Sequence, residues 1–275
     1  MRVPRFWATA GGSVRGADGR RHFRDAWGWS MSSVAEALEI AQRRVQALLA
    51  DPRPIRGPGG YYPRVPLREM ILDEVLLDGE QALVITRNRY GAEILNTDRV
   101  LIADVDLPEL ADVAEPPEPL AVLERLGAVA DWAGARPELG VIVYRTASGL
   151  RVFVTGVAEP ATSSEGQRIL AELGADPLYR ELCRTHGTFR ARLTPKPWRL
   201  PRMGLPGYAW YRWPHASRWA QREYRRWLER YEAATNGYAV CRLLASHGPP
   251  PSGFEARIIE RHDDRTGVLS ALPLA

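Results

Sequence analysis

The run Arg99-Val-Leu-Ile-Ala-Asp-Val-Asp-Leu-Pro108 constrains this chain more than any other stretch. Val100 to Ala103 form a short apolar run of the kind found in a sheet covered on both faces. Asp104 and Asp106 follow at spacing i, i+2. In a strand this puts both carboxylates on one face, about 7 Å apart along the chain. Val105 then points into a core, and Pro108 ends the ladder. Two like charges held at a strand end repel each other, and a divalent cation relieves that repulsion. A strand end whose acids simply face water fits the same spacing.

Composition narrows the class. At 275 residues the chain holds one large domain or two small ones. No apolar run reaches the roughly 20 residues that span a bilayer, and Met1 to Trp7 has no apolar signal core. Two cysteines, Cys183 and Cys241, make no disulfide framework and fit a reducing cytoplasm. Lys196 is the sole lysine among 37 basic residues. A net charge of +4 argues weakly for nucleic acid on its own. Its distribution argues more: 180–230 is dense in Arg and aromatics, whereas 104–124 is acidic, as suits a cleft with a cationic wall.

Residues 1–50 read as a small ββα module, with strands at Phe6–Ala10 and His22–Trp29 and a turn at Gly16–Gly19. Ser33 and Glu36 suit a capping box. The helix then presents Val34, Ala37, Leu38, Ala41, Val45 and Leu48. A Pro/Gly-rich connector spans 51–66. The core is expected over 67–210, with a C-terminal helical extension over 211–275. Within the core, 67–77 predicts a short helix and 82–87 a strand. Residues 88–97 read as a turn-rich lead-in, and 120–133 as a helix. Gly140–Arg145 and Leu150–Thr155 predict an antiparallel hairpin around Thr-Ala-Ser-Gly. Ser163 or Ser164 caps one helix and Asp176-Pro177 starts another. Residues 183–202 read as mostly extended, 217–234 as a charged amphipathic helix, and the tail as a strand and a last helix.

Two more constellations bear on chemistry. Arg145 and Arg151 flank the Ser148-Gly149 turn, and guanidinium groups there suit a bidentate grip on phosphate. Arg190 and Arg192 share a face if their segment is extended, and Lys196 lies between two prolines that stiffen its backbone. Cys183 and His186 have Cys-x-x-His spacing, which serves zinc only with a distant partner such as Cys241 or His215.

An Asp-x-Asp strand, then a Ser-Gly hairpin with a basic residue after the glycine, then an Arg-rich strand resembles the archaeo-eukaryotic primase (primase-polymerase) superfamily over about residues 80–200. The resemblance implies an α+β fold with an RRM-like, mainly antiparallel core. It implies that Asp104 and Asp106 hold Mg2+ or Mn2+ as catalytic ligands. It implies that Ser148, Arg145, Arg151, Arg190, Arg192 and Lys196 contact the phosphates of a nucleoside triphosphate. Arg151 stands where the family has a histidine, and no clear third acid follows the hairpin, because Asp176 starts a helix. The expected function is a primase-polymerase-like, metal-dependent nucleotidyltransferase acting on nucleic acid in the cytoplasm, without a membrane partner. The alternatives are a catalytically inactive nucleic-acid-binding protein on the same fold, and a metal-dependent nuclease or phosphoesterase.

Overall fold

The computed structural model describes residues 3–15, 19–50, 66–107, 110, 119–207 and 212–275. Residues 16–18, where a turn is expected, most of the connector, Pro108 and the acidic run at 111–118 lie outside them. The fold is α+β, and among the described residues every ladder between strands is antiparallel, with one isolated parallel bridge between Ala239 and Leu274.

Strands β1 (Phe6–Arg15) and β2 (Arg21–Ser30) pair in a hairpin that carries helix α1 (Val34–Ala50). Ser33 caps α1 by accepting the Glu36 N–H at 3.1 Å. The helix buries Ala37, Ala41 and Val45, while Val34 and Leu38 stay exposed, contrary to their expected place on the packed face. The reason is close approach. A Cβ on Gly28 would lie 2.0 Å from the Ala37 carbonyl oxygen, so the helix touches the hairpin through small residues.

The rest of the core holds two four-stranded sheets instead of one. The first has the order β3 (Met70–Leu77), β4 (Glu80–Arg87), β5 (Glu93–Thr97), β9 (Phe189–Arg192). The helix expected at 67–77 is therefore edge strand β3. Bulges at Ile71/Asp73 and Val75/Leu76 shift its inside–outside phase, which hides the alternation that marks a strand. The turn into β4 is Asp78-Gly79, both at positive φ, the geometry of a two-residue hairpin loop. Residues 93–97, read as a lead-in, form β5 at the sheet's interior.

The second sheet has the order β10 (Cys241–His247), β7 (Gly140–Thr146), β8 (Gly149–Thr155), β6 (Leu101–Asp106). Helix α2 (Leu120–Gly134) links β6 to β7. Helices α3 (Ser164–Glu172) and α4 (Pro177–His186) link β8 to β9. The C-terminal segment contributes α5 (Arg218–Thr235), strand β10 and α6 (Gly253–Thr266), so it completes the second sheet as well as adding helices.

The two sheets meet where β9 runs beside β6. No ladder joins these strands; a phenol does. The Tyr179 hydroxyl, from α4, donates to the Ile102 carbonyl at 2.7 Å and accepts the Arg190 N–H at 3.2 Å. Leu83, Ile85, Leu101, Leu150, Phe153 and Phe189 are among the fully buried side chains that fill the core shared by both sheets. Cys183 and Cys241 are buried free thiols. Among the described residues no helix is long and apolar enough to cross a membrane.

Candidate functional site

Register fixes which side chains meet. Asp104 pairs with Arg151, and Arg151 with Tyr144, so these three stand in one row on one face. Val105 pairs with Leu150, and Leu150 with Arg145, on the other face. Val105 is buried, Asp104 is partly exposed, and Asp106 is open to solvent. The carboxylates thus share a face at the strand end. Arg145 is carried to the opposite side, where its guanidinium donates to the Thr146 and Gly149 carbonyls of its own hairpin. It does not join the acids.

Gly149 explains the Ser-Gly turn in part. A Cβ there would lie 1.9 Å from the Val105 carbonyl oxygen, so only glycine lets β8 approach β6. Ser148, half-buried, sits beside the acid end of β6 and accepts the Leu107 N–H through its carbonyl at 2.9 Å.

Arg151 is enclosed. Its Nε lies 3.5 Å from the Asp104 carboxylate without completing a hydrogen bond. Its NH1 donates to the Arg192 carbonyl at 2.8 Å and to His262 Nε2 at 3.2 Å, and lies 3.4 Å from Cys241 Sγ. Arginine only donates and carboxylate only accepts, which settles the His262 tautomer. Nδ1 carries the proton toward Asp263 at 2.8 Å, and Nε2 accepts from Arg151. Burial pushes the His262 pKa down to about 4, against the Asp263 hydrogen bond, so the ring is neutral near pH 7. Burial likewise pushes Cys241 up to about 11, keeping it a thiol. Arg151 is therefore a fixed internal partner of Asp104.

Strand β9 delivers the third constellation. Arg190 is held by Glu69, with bonds of 2.8 and 2.9 Å, and donates to Asn96 Oδ1 at 2.6 Å. Arg192, Lys196 and Arg199 form no ion pair among the described residues. All three still feel the acids. Burial lowers Arg192 to about 10, while Asp104 pulls it up. Burial, then Arg192 and Arg199, lower Lys196 to about 8 against the pull of Asp106 and Asp104. Arg199 is lowered by burial and raised by the same two acids. On the acid side, partial desolvation of its carboxyl end raises Asp106, although the residue is exposed overall. The Asp104 charge adds to this, Lys196 opposes it, and Asp176 adds a smaller push.

Asp104, Asp106, Arg151, Arg192, Lys196 and Arg199 thus form one electrostatic cluster, of which Asp104, Arg151, Arg192 and Lys196 stand on one wall. Arg199 was missed because nothing in its spacing sets it apart from other arginines. Asp176 belongs to this neighbourhood but serves as the N-cap of α4, accepting the Tyr179 N–H at 2.8 Å. Its own N–H donates to the Asp104 carbonyl at 3.0 Å. Among the described residues no group of three or more His, Cys, Asp or Glu is arranged to hold a metal ion, the Cys183/His186 pair included.

The wall opens onto a cleft of about 1290 Å³. Asp104, Arg151, Arg190, Arg192 and Lys196 line it together with Trp27, Trp29 and Arg44 of the ββα module and Arg89, Tyr90 and Trp198. Comparison with family models, curated proteins and solved structures returns no match for this chain.

Proposed function

We propose that the chain is a primase-polymerase-like, metal-dependent nucleotidyltransferase acting on nucleic acid. One observation carries the reading: two neighbouring carboxylates feel three cations that have no internal ion pair, and Asp104, Arg192 and Lys196 of this cluster line one cleft. Repelling acids invite a divalent ion, and unpaired cations invite phosphate. A nucleoside triphosphate with Mg2+ or Mn2+ satisfies both. The strand order supports the reading. β8 lies between β6 and β7, and β9 lies beside β6 without a ladder to it, an order compatible with a βαββαβ core.

The residues present fit the ion. Mg2+ is commonly held by one or two carboxylates plus substrate phosphates, so Asp104 and Asp106 suffice without a third acid. Burial first and the Asp104 charge second raise the Asp106 pKa, and such an ion would relieve the second of these. When bound, the ion supplies Lewis acidity toward the phosphoryl oxygens. The chain's own groups do the rest. Arg192, Lys196 and Arg199 bind and orient the triphosphate, and their partial desolvation strengthens each contact. Arg151 acts through Asp104, whose carboxylate it keeps in place.

The test is Mn2+- or Mg2+-dependent nucleotide incorporation on primed and unprimed templates. Wild type incorporates, and Asp104→Ala or Asp106→Ala lowers the rate by at least about 100-fold. No incorporation by wild type, or an unchanged rate in both variants, contradicts catalysis. Nucleic-acid binding without catalysis is the second reading, favoured by the commitment of Asp176 to capping α4. It predicts salt-sensitive binding that survives loss of both aspartates. Release of cleaved products in the same assay would instead indicate the nuclease or phosphoesterase.

A further inference from the structure

We infer that the part of the cleft lined by the ββα module and by the Tyr90–Trp198 pair is a subsite for single-stranded nucleic acid, where unpaired bases stack and phosphates meet arginine. This rests on the nucleic-acid reading above and extends it to the substrate strand. Volume is the first reason. About 1290 Å³ exceeds the roughly 300–1000 Å³ of a pocket for one small ligand, so a nucleotide at the acids leaves space beside it.

The second reason is the state of the aromatic rings. Trp198 is 53% exposed although it lines the cleft. Tyr90 packs against it at 85° with ring centroids 5.6 Å apart, and Lys196 Nζ lies 5.8 Å from the Trp198 ring centroid, so the exposed remainder of the indole is what stays open to the cleft. Trp27 is more closely enclosed: Arg68 sits 3.7 Å over its ring and His215 stacks 5.4 Å away. Trp27 therefore braces the module against the 212–215 loop, and Trp198 is left as the platform. Duplex bases bury their faces against one another, so an open indole selects unpaired ones.

The third reason is charge. Arg44 lies 4.9 Å over Trp29, and its buried Nε has no hydrogen-bond partner. Arg89 lies 4.6 Å over Tyr90 and donates to that residue's hydroxyl. Neither forms an ion pair among the described residues. Arginines beside aromatic rings and without carboxylate partners match alternating phosphates and bases along one strand.

Anisotropy of labelled oligonucleotides tests this without turnover. The protein is Asp104→Asn/Asp106→Asn, in EDTA, titrated with oligo-dT, oligo-rU and a blunt DNA duplex of equal length. Either single strand should bind more tightly than the duplex, and the ratio of the two identifies DNA or RNA as the preferred strand. Trp198→Ala should weaken single-strand binding roughly ten-fold, and Trp198→Phe should restore most of it. Arg44→Ala should lower the slope of log K against log salt by about 0.7, one phosphate contact. Duplex binding at least as tight as single-strand binding overturns the inference, as does unchanged affinity in Trp198→Ala together with an unchanged slope in Arg44→Ala. Wild-type incorporation with those null results would spare the catalytic proposal. Strand binding without incorporation would spare this one.

Discussion

Arg151 is the residue on which the acid wall turns, and His262 is what fixes it. A guanidinium fully enclosed by protein needs an acceptor on every side it presents, and His262 Nε2 supplies one that Asp104 cannot reach. His262→Leu should cost about 3 kcal/mol in urea denaturation, whereas His262→Gln, which keeps an acceptor, should recover about half. The same ring sets an acid limit. Its folded pKa of about 4 lies below the 6.5 of a free imidazole, so the unfolded chain takes up the proton first as pH falls. Stability from this group is complete above about pH 6.5 and is lost as pH drops toward 4, up to about 3 kcal/mol. Urea midpoints across that window should fall in wild type and flatten in His262→Gln. Lys196 has an alkaline counterpart. With a pKa of about 8, it loses its charge by pH 9, and affinity for metal-free tripolyphosphate should fall about ten-fold between pH 7 and 9. Lys196→Arg should hold affinity level over that range; an equal fall in both proteins would remove Lys196 from the phosphate site.

The approach of β8 to β6 is the element-scale event that sets the acids at the cleft. Gly149 permits it, and Gly149→Ala should force the strands apart at the Asp106 end. The expected cost is about 2–3 kcal/mol, with loss of incorporation at temperatures where the variant is still folded. Unchanged stability and activity would show that the contact yields cheaply. The strands nearest the site were legible from sequence: β6, β7 and β8 are mainly apolar runs, and the tight turn sets the register of β7 on β8, whereas the pairing of β8 with β6 emerges only in the fold. Strand β3 was not, because its two bulges break the period of two. One signal was present and unread: Asp78-Gly79 between two apolar runs is a strong hairpin mark. The short strand β5 was hidden for another reason. Asn96 and Thr97 look like loop residues, and only in the folded sheet do Val84 and Ala82 carbonyls accept their side-chain hydrogens.

At the scale of the whole molecule, chain-distant segments converge on one cleft. β6 brings Asp104, the segment after β9 brings Lys196 and Trp198, and the N-terminal module brings aromatic side chains and Arg44. Sequence pattern named the acids and most of the cations, since local spacing carries that information. It did not reveal that Arg145 faces away, that Glu69 holds Arg190, or that His262 holds Arg151, because those depend on pairings across the chain. The division into two sheets bridged by Tyr179 was equally unreadable. The measurement that bears most directly on the shared wall is calorimetric titration of a non-hydrolysable nucleoside triphosphate with and without Mn2+. Wild type should bind at least ten-fold more tightly with Mn2+, Asp106→Asn should lose that gain while keeping metal-free binding, and Lys196→Ala should weaken binding in both conditions. An undiminished Mn2+ gain in Asp106→Asn would contradict the account.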